Sequence, residues 1–202
     1  MDWREKYEQA AARYDAGEGR AHDERQLVQL GNAAWAAGLC LLMMGEDAEA
    51  KEWLVRAAAS YRESWDAGAP PDAWGRPIAA MKALLIADNA CDNLSLAASW
   101  ALEAGAAEAE SVIGRYAGTL ALLVLGRNDE AEAVAATLDE PFPADVAAAL
   151  RALAAGDRDA FAAAVADVRR SYENRDGYLE DLPVADTALA LEALSRIARV
   201  GP

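Results

Sequence analysis

The sequence predicts an all-α protein, an α-α superhelix of about ten helices arranged in antiparallel hairpins. Three observations carry that expectation. Apolar residues recur at helical spacing along most of the chain, and glycine-centred turns of one pattern occur three times. Runs of β-branched residues, which strands need on a pleated surface, are absent. Hydrophobic residues make up 54% of the 202, more than a disordered chain carries. Much of that fraction is alanine, the best helix former. The length suits one domain, residues 1–202, burying roughly 70% of its extended surface.

Residues 2–15 form the first amphipathic helix, with Trp3, Tyr7, Ala10, Ala11 and Tyr14 at helical spacing, and Gly17 and Gly19 end it. A long apolar helix runs from about His22 to Met44 and stops at Gly45. Its partner covers 47–67, with Leu54, Ala57, Ala58 and Tyr61 on one stripe and Glu46, Glu49, Glu52 and Arg56 towards solvent. Pro70-Pro71 make the clearest break. Pro77 suits the first turn of a helix over 76–88. A turn at 89–92 follows, with Asp92 placed to cap helix 93–104, which Gly105 closes. Helix 107–125 leads through Gly126 into helix 128–139. Pro141-Phe142-Pro143 break the chain and open helix 143–155, and Gly156 turns it into helix 158–173. A polar connector containing Asp176-Gly177 precedes the last helix, 183–199, which Pro183 opens and which caps the stack. Glu180 and Asp181 ahead of that helix, and Arg196 and Arg199 at its end, suit its dipole. Arg169 and Arg170 complement the close of theirs.

The three turns are Gly45-Glu46-Asp47, Gly126-Arg127-Asn128 and Gly156-Asp157-Arg158. Each places glycine where a helix must stop in the left-handed region, then a polar residue, then a new helix. Small residues stand where the antiparallel helices of the first hairpin must approach: Gly38 against Ala50 and Ala57. This spacing resembles the tetratricopeptide repeat, a diverged version best matched over 31–64 and more weakly over 76–104, 112–139 and 143–172. Trp35 falls one residue later than the family's tryptophan, Leu41 replaces its tyrosine, and Arg62 stands where a proline usually ends the hairpin.

The resemblance implies a right-handed stack whose first helices line a concave face that binds an extended peptide or another protein. Projected on that face are Asn32, Trp35, Leu39, Leu42 and Met43, then Ile113, Tyr116, Leu120 and Leu123. Arg76, Lys82 and Arg115 are the nearest cations, able to receive an acidic peptide or to pair with neighbouring carboxylates. Helices apolar on two sides need a cover. Three are open: the chain itself, a second copy forming a homodimer, or a bound partner peptide or apolar small molecule. Trp53, Tyr61, Trp65, Trp74 and Trp100 gather around Pro70-Pro71, either as a grip for a proline-rich or aromatic ligand or as packing. Residues 172–186 read either as a recognition loop or as the lead into the final helix.

The net charge of −15 weighs against nucleic acid and against anionic membrane surfaces, since phosphate binding needs clustered Lys and Arg. An acidic, lysine-poor chain also fits a GC-rich genome or a saline cytoplasm. The apolar part of 26–45 is interrupted by Gln26, Gln29 and Asn32 and is shorter than the ~20 residues a span needs, so a buried core helix is expected rather than a membrane segment. Cys40 and Cys91 lack metal-like spacing and fit a reducing cytosol. The start of the chain is charged, without the apolar core of a signal peptide, so a cytoplasmic location is expected and the sequon at Asn93 carries no meaning. His22, the single histidine, has Asp23 and Glu24 beside it at a helix start, where acids meet the dipole favourably. It has no ligand set around it, and no phosphate loop, nucleophile-histidine pair or carboxylate pair in an apolar frame is evident. The expectation is a non-enzymatic protein-interaction or scaffold module without metal or cofactor. The alternatives are a sensing domain enclosing a small apolar molecule between the Trp35 and Tyr116 helices, or an enzyme accessory.

Overall fold

The computed structural model describes residues 1–88, 92–175 and 177–198. Of the turn expected at 89–92, residues 89–91, with Cys91 among them, lie outside the described residues, as do Asp176 and Arg199. Among the described residues there are ten α-helices and no strand. They are α1 (Trp3–Gly17), α2 (Glu24–Met43), α3 (Asp47–Asp66), α4 (Gly75–Ile86), α5 (Asp92–Glu103), α6 (Val112–Val124), α7 (Asn128–Ala135), α8 (Ala144–Ala154), α9 (Arg158–Glu173) and α10 (Asp186–Ala198). Two 3-10 turns, Ala106–Glu108 and Leu179–Asp181, complete the regular structure. Helices pack on their sequence neighbours, an arrangement compatible with a helical repeat.

The chain divides into two compact units, Met1–Asn89 with Gly177–Val184 and Ala90–Asp176 with Ala185–Pro202. In the first, α2 packs between α1 and α3, and α4 packs on α3. The α2–α3 contact is close because of two glycines. A Cβ at Gly38 would stand 2.8 Å from Leu54 Cγ and 3.2 Å from the Ala50 carbonyl oxygen, and one at Gly31 would meet the Tyr61 ring at 2.9 Å. Ala50 and Ala57 are fully buried on the facing side, as the small-residue pattern predicts. Helix α1 is fixed on α3 by aromatic edges: Tyr14 and Tyr7 meet Trp53 edge-on at 5.2 and 6.2 Å. Arg4 pairs with Glu46, and the Tyr7 hydroxyl donates to Glu49 at 2.7 Å, so two acids expected to face only solvent serve this contact. Helix α2 is long and apolar enough to cross a bilayer by composition, yet 67% of its apolar window is buried inside the protein.

In the second unit α5 through α9 pack in order, and α10 packs on α9 and also touches α6 and α8. Arg169 donates to Glu192 at 2.7 Å, tying α9 to α10.

The three glycine turns share one geometry. Gly45, Gly126 and Gly156 have φ of 76, 70 and 71°. In each, the residue after glycine returns its N–H to a carbonyl five residues back: Glu46 to Leu41, Arg127 to Leu122 and Asp157 to Ala152, all at 2.9 Å. The glycine N–H bonds one residue inside that pair, to Leu42, Leu123 and Leu153. This is the Schellman closure, which satisfies the helix's last carbonyls and requires the left-handed glycine.

Three elements differ from expectation. The helix expected over 107–125 is broken: Ala106–Glu108 is a 3-10 turn, Ala109 and Ser111 are extended, and the Ser111 hydroxyl caps α6 by accepting from Gly114 N–H at 3.0 Å. Gly118 explains the break, because Ala107 lies across it so closely that a Cβ would stand 2.6 Å from Ala107 Cα. The helix expected over 128–139 stops at Ala135, with Arg151 donating to the Ala135 and Leu138 carbonyls at 3.0 and 2.8 Å. The last helix begins at Asp186 rather than Pro183, because 177–184 belongs to the first unit, with Leu182 and Val184 buried.

Candidate functional site

The residues projected on a binding face are placed as follows. Trp35 and Leu39 are buried at 2% exposure each, and the Lys82 ammonium stands 5.6 Å from the centre of the Trp35 ring. Asn32 is half-buried and accepts from the Tyr61 hydroxyl at 2.8 Å. Met43 is exposed at 42%. In the second unit Tyr116 is buried against Phe142, ring centres 5.0 Å apart, and burial raises its hydroxyl pKa well above the usual phenolic value. Leu120 and Leu123 are buried, whereas Ile113 is exposed. The chain's own packing thus covers much of the stripe for which three covers were open.

The cations are committed within the chain. Arg76 pairs with Glu24 and donates through Nε to Ser64 Oγ at 2.8 Å, while Ser64 donates to the Glu24 carbonyl at 2.6 Å. That triad joins the starts of α2 and α4 to the end of α3, and Ser64 is fully buried. Arg115 donates to the carbonyls of Ala109, Glu110 and Thr137 at 3.2, 2.6 and 3.3 Å. It closes the loop before α6 and the end of α7. Trp53 seats α1, and Trp65 and Trp74 pack together with ring centres 5.9 Å apart. Among the described residues no three or more His, Cys, Asp or Glu side chains converge as a metal site. Cys40 is buried, and desolvation pushes its thiol up to about 11, with Lys6 opposing weakly.

Accessible concave surface lies along the seam of α1 and α2. Two hollows of about 590 and 730 Å³ share Arg13 and Glu180 as lining residues. Arg20, Gln26 and Gln29 line the first, and Lys6, Gln9 and Ala36 line the second. Between them the 177–184 segment meets the seam, held by Arg13 Nη2 to Glu180 Oε2 at 2.6 Å. Lys6 and Arg13, two helical turns apart, share one side of α1, and Arg20, in the turn after the helix, lines the first hollow together with Arg13. Lys6 and Arg20 form no ion pair among the described residues.

This seam went unnoticed in the sequence because α1 reads as an ordinary amphipathic helix. The seven-residue spacing of Lys6, Arg13 and Arg20, within a chain of net charge −15, is a signal available in the sequence. No protein-family model, curated protein or solved structure matches the chain.

Proposed function

We propose that the chain is a non-enzymatic, cytoplasmic protein-interaction module on a tetratricopeptide-like repeat, and that the α1–α2 seam is the surface that receives a peptide. The three equivalent Schellman turns and the close approach at Gly38 support the repeat reading. The observation that carries the interaction reading is the charge of the seam. In a chain of net charge −15, Lys6, Arg13 and Arg20 border two open hollows with polar Gln9, Gln26 and Gln29 beside them. A cationic stripe on an acidic body steers anionic segments towards itself.

The reading replaces the stripe built on Trp35 and Tyr116, whose burial makes their substitution a stability experiment rather than a binding one. The test is fluorescence anisotropy with acidic, leucine-containing decapeptides and with basic ones of equal length. The full chain is expected to bind the acidic set weakly, with loss of binding on Lys6→Glu/Arg20→Glu and on raising salt. Equal binding of basic peptides, or indifference to the double charge reversal, refutes it.

A further inference from the structure

The segment 177–184 is the least explained part of the fold. Residues on both sides of it in the chain belong to the second unit, yet it packs with the first. Its sequence is Gly177-Tyr178-Leu179-Glu180-Asp181-Leu182-Pro183-Val184. Glu180 and Asp181 both adopt left-handed backbone conformations, with φ of 58 and 55°. Non-glycine residues rarely do so, and two in succession persist only where surrounding contacts hold them. Here those contacts are the Arg13–Glu180 pair and the burial of Leu182 and Val184, each no more than 3% exposed. Leu179, by contrast, is 53% exposed. The segment leaves a hollow on either side of Glu180, and Lys6 and Arg20, one bordering each, form no ion pair among the described residues.

Resting on the reading of the seam as a peptide-binding surface, we propose that 177–184 is a tethered occupant of that surface, displaced by an acidic, leucine-bearing segment of a partner protein. The resident carries the chemistry the seam selects: two consecutive carboxylates flanked by leucines. It fits imperfectly, because its ends are fixed by the chain and its backbone is held left-handed to bring Glu180 onto Arg13. An untethered segment with the same chemistry keeps a relaxed backbone and reaches Lys6 and Arg20 as well. A second copy of this chain is the poorer occupant. Its segment has the same sequence and competes against one held at an effective concentration on the order of millimolar. The displacing segment must therefore fit better than the resident, which points to a different chain.

The test uses a labelled peptide of residues 177–185 and a scrambled peptide of the same composition. The receptors are the full chain and a full-length variant with 178–183 replaced by six Gly and Ser residues. The replacement variant is expected to bind the native-order peptide at least about tenfold more tightly than the unmodified chain, because the tethered competitor is gone. Arg13→Glu in the replacement variant is expected to abolish that binding, and the scrambled peptide to bind at least about tenfold more weakly. Should the replacement variant fail to show the helical circular dichroism of the parent, Glu180→Arg serves instead. It keeps Leu182 and Val184 but repels Arg13, and is expected to raise affinity for the peptide severalfold.

Equal affinities for the unmodified and released proteins overturn the tethered-occupant proposal and leave the seam reading standing. No binding by the released protein at millimolar peptide overturns both. A concentration-dependent dimer of the unmodified chain in sedimentation, lost on replacing the segment, identifies a second copy as the occupant and overturns the proposal of a partner protein.

Discussion

Gly118→Ala isolates the contact between α6 and the 3-10 turn that precedes it. The added Cβ would stand 2.6 and 2.7 Å from the Cα and N of Ala107, and 2.9 Å from the carbonyl carbon of Ala106. Ordinary carbon–carbon contact is about 3.5–4.0 Å, so the 3-10 turn must shift by about 1 Å, and its backbone atoms cannot rotate aside. Overpacking of that kind costs typically 1–3 kcal/mol, here at the upper end. Alanine returns about 1 kcal/mol through helix propensity. The net expectation is about 2 kcal/mol of destabilisation. At roughly 4 °C per kcal/mol for a unit of about 100 residues, the melting temperature falls by about 8 °C.

Two other glycines calibrate the measurement. Gly75 has nothing within 4 Å of its added Cβ and lies at the start of α4, so Gly75→Ala is expected to be neutral or to stabilise by up to about 1 kcal/mol. Gly45 also has open space but a φ of 76°, so Gly45→Ala is expected to cost about 1 kcal/mol through backbone conformation alone. Calorimetry with circular dichroism reads all three. Gly118→Ala as stable as the parent, or Gly75→Ala the most damaging, refutes the packing argument.

Arg76→Ala leaves the buried Ser64 Oγ without its donor and Glu24 with only the exposed Arg25, and is expected to cost about 1–3 kcal/mol in urea unfolding followed by tryptophan fluorescence. Arg76→Lys is expected to recover only part of that, since one ammonium cannot span both partners. Trp35→Ala is expected to cost about 3–5 kcal/mol, against the few tenths of a surface residue. Cys40, with its folded pKa raised to about 11, should resist iodoacetamide at pH 8 until the protein is unfolded. Because that pKa lies above its unfolded value, the neutral buried thiol's contribution is complete below about pH 9 and is lost as pH rises towards 11. A net charge of −15 predicts a melting temperature that climbs between 0.05 and 2 M KCl, and a flat response contradicts the saline-cytoplasm reading.

The parts legible in the sequence are those whose physics is local. A helix that ends in the left-handed region leaves a glycine behind, so the turns at Gly45, Gly126 and Gly156 were readable and share one hydrogen-bond pattern. The close approach at Gly38 was readable for a similar reason: the residue opposite needs room, and Ala50 marks where. Ser111 was overlooked as a cap because Ala106 and Ala107 before it are themselves good helix formers, and only the approach of Gly118 shows that the chain crosses there. Apolar periodicity identifies a buried stripe without saying what buries it, which is why Trp35 and Leu39 passed for a binding face. Arg115 and Arg76 were read by charge, but backbone carbonyls and a serine hydroxyl claim them, and neither leaves a mark in the charge pattern. The 177–184 segment had no local signal at all. It is held by Arg13, far away in sequence, and by the burial of Leu182 and Val184, so residues that look like a polar lead into a helix are instead docked on the first unit.

Hydrogen–deuterium exchange resolved to 178–184, compared between the parent and Arg13→Glu, bears most directly on the account. In the Arg13–Glu180 pair Arg13 is half exposed and Glu180 largely covered, so the pair on its own is worth about 1 kcal/mol, but reversing the charge adds repulsion at the point where the backbone is held left-handed. The expected result is a selective loss of protection in 178–184, with α2 and α3 exchanging as slowly as before. Unchanged protection across 178–184 would mean that Arg13 does not hold the segment, and the account of Glu180 as the point where it is anchored would fail.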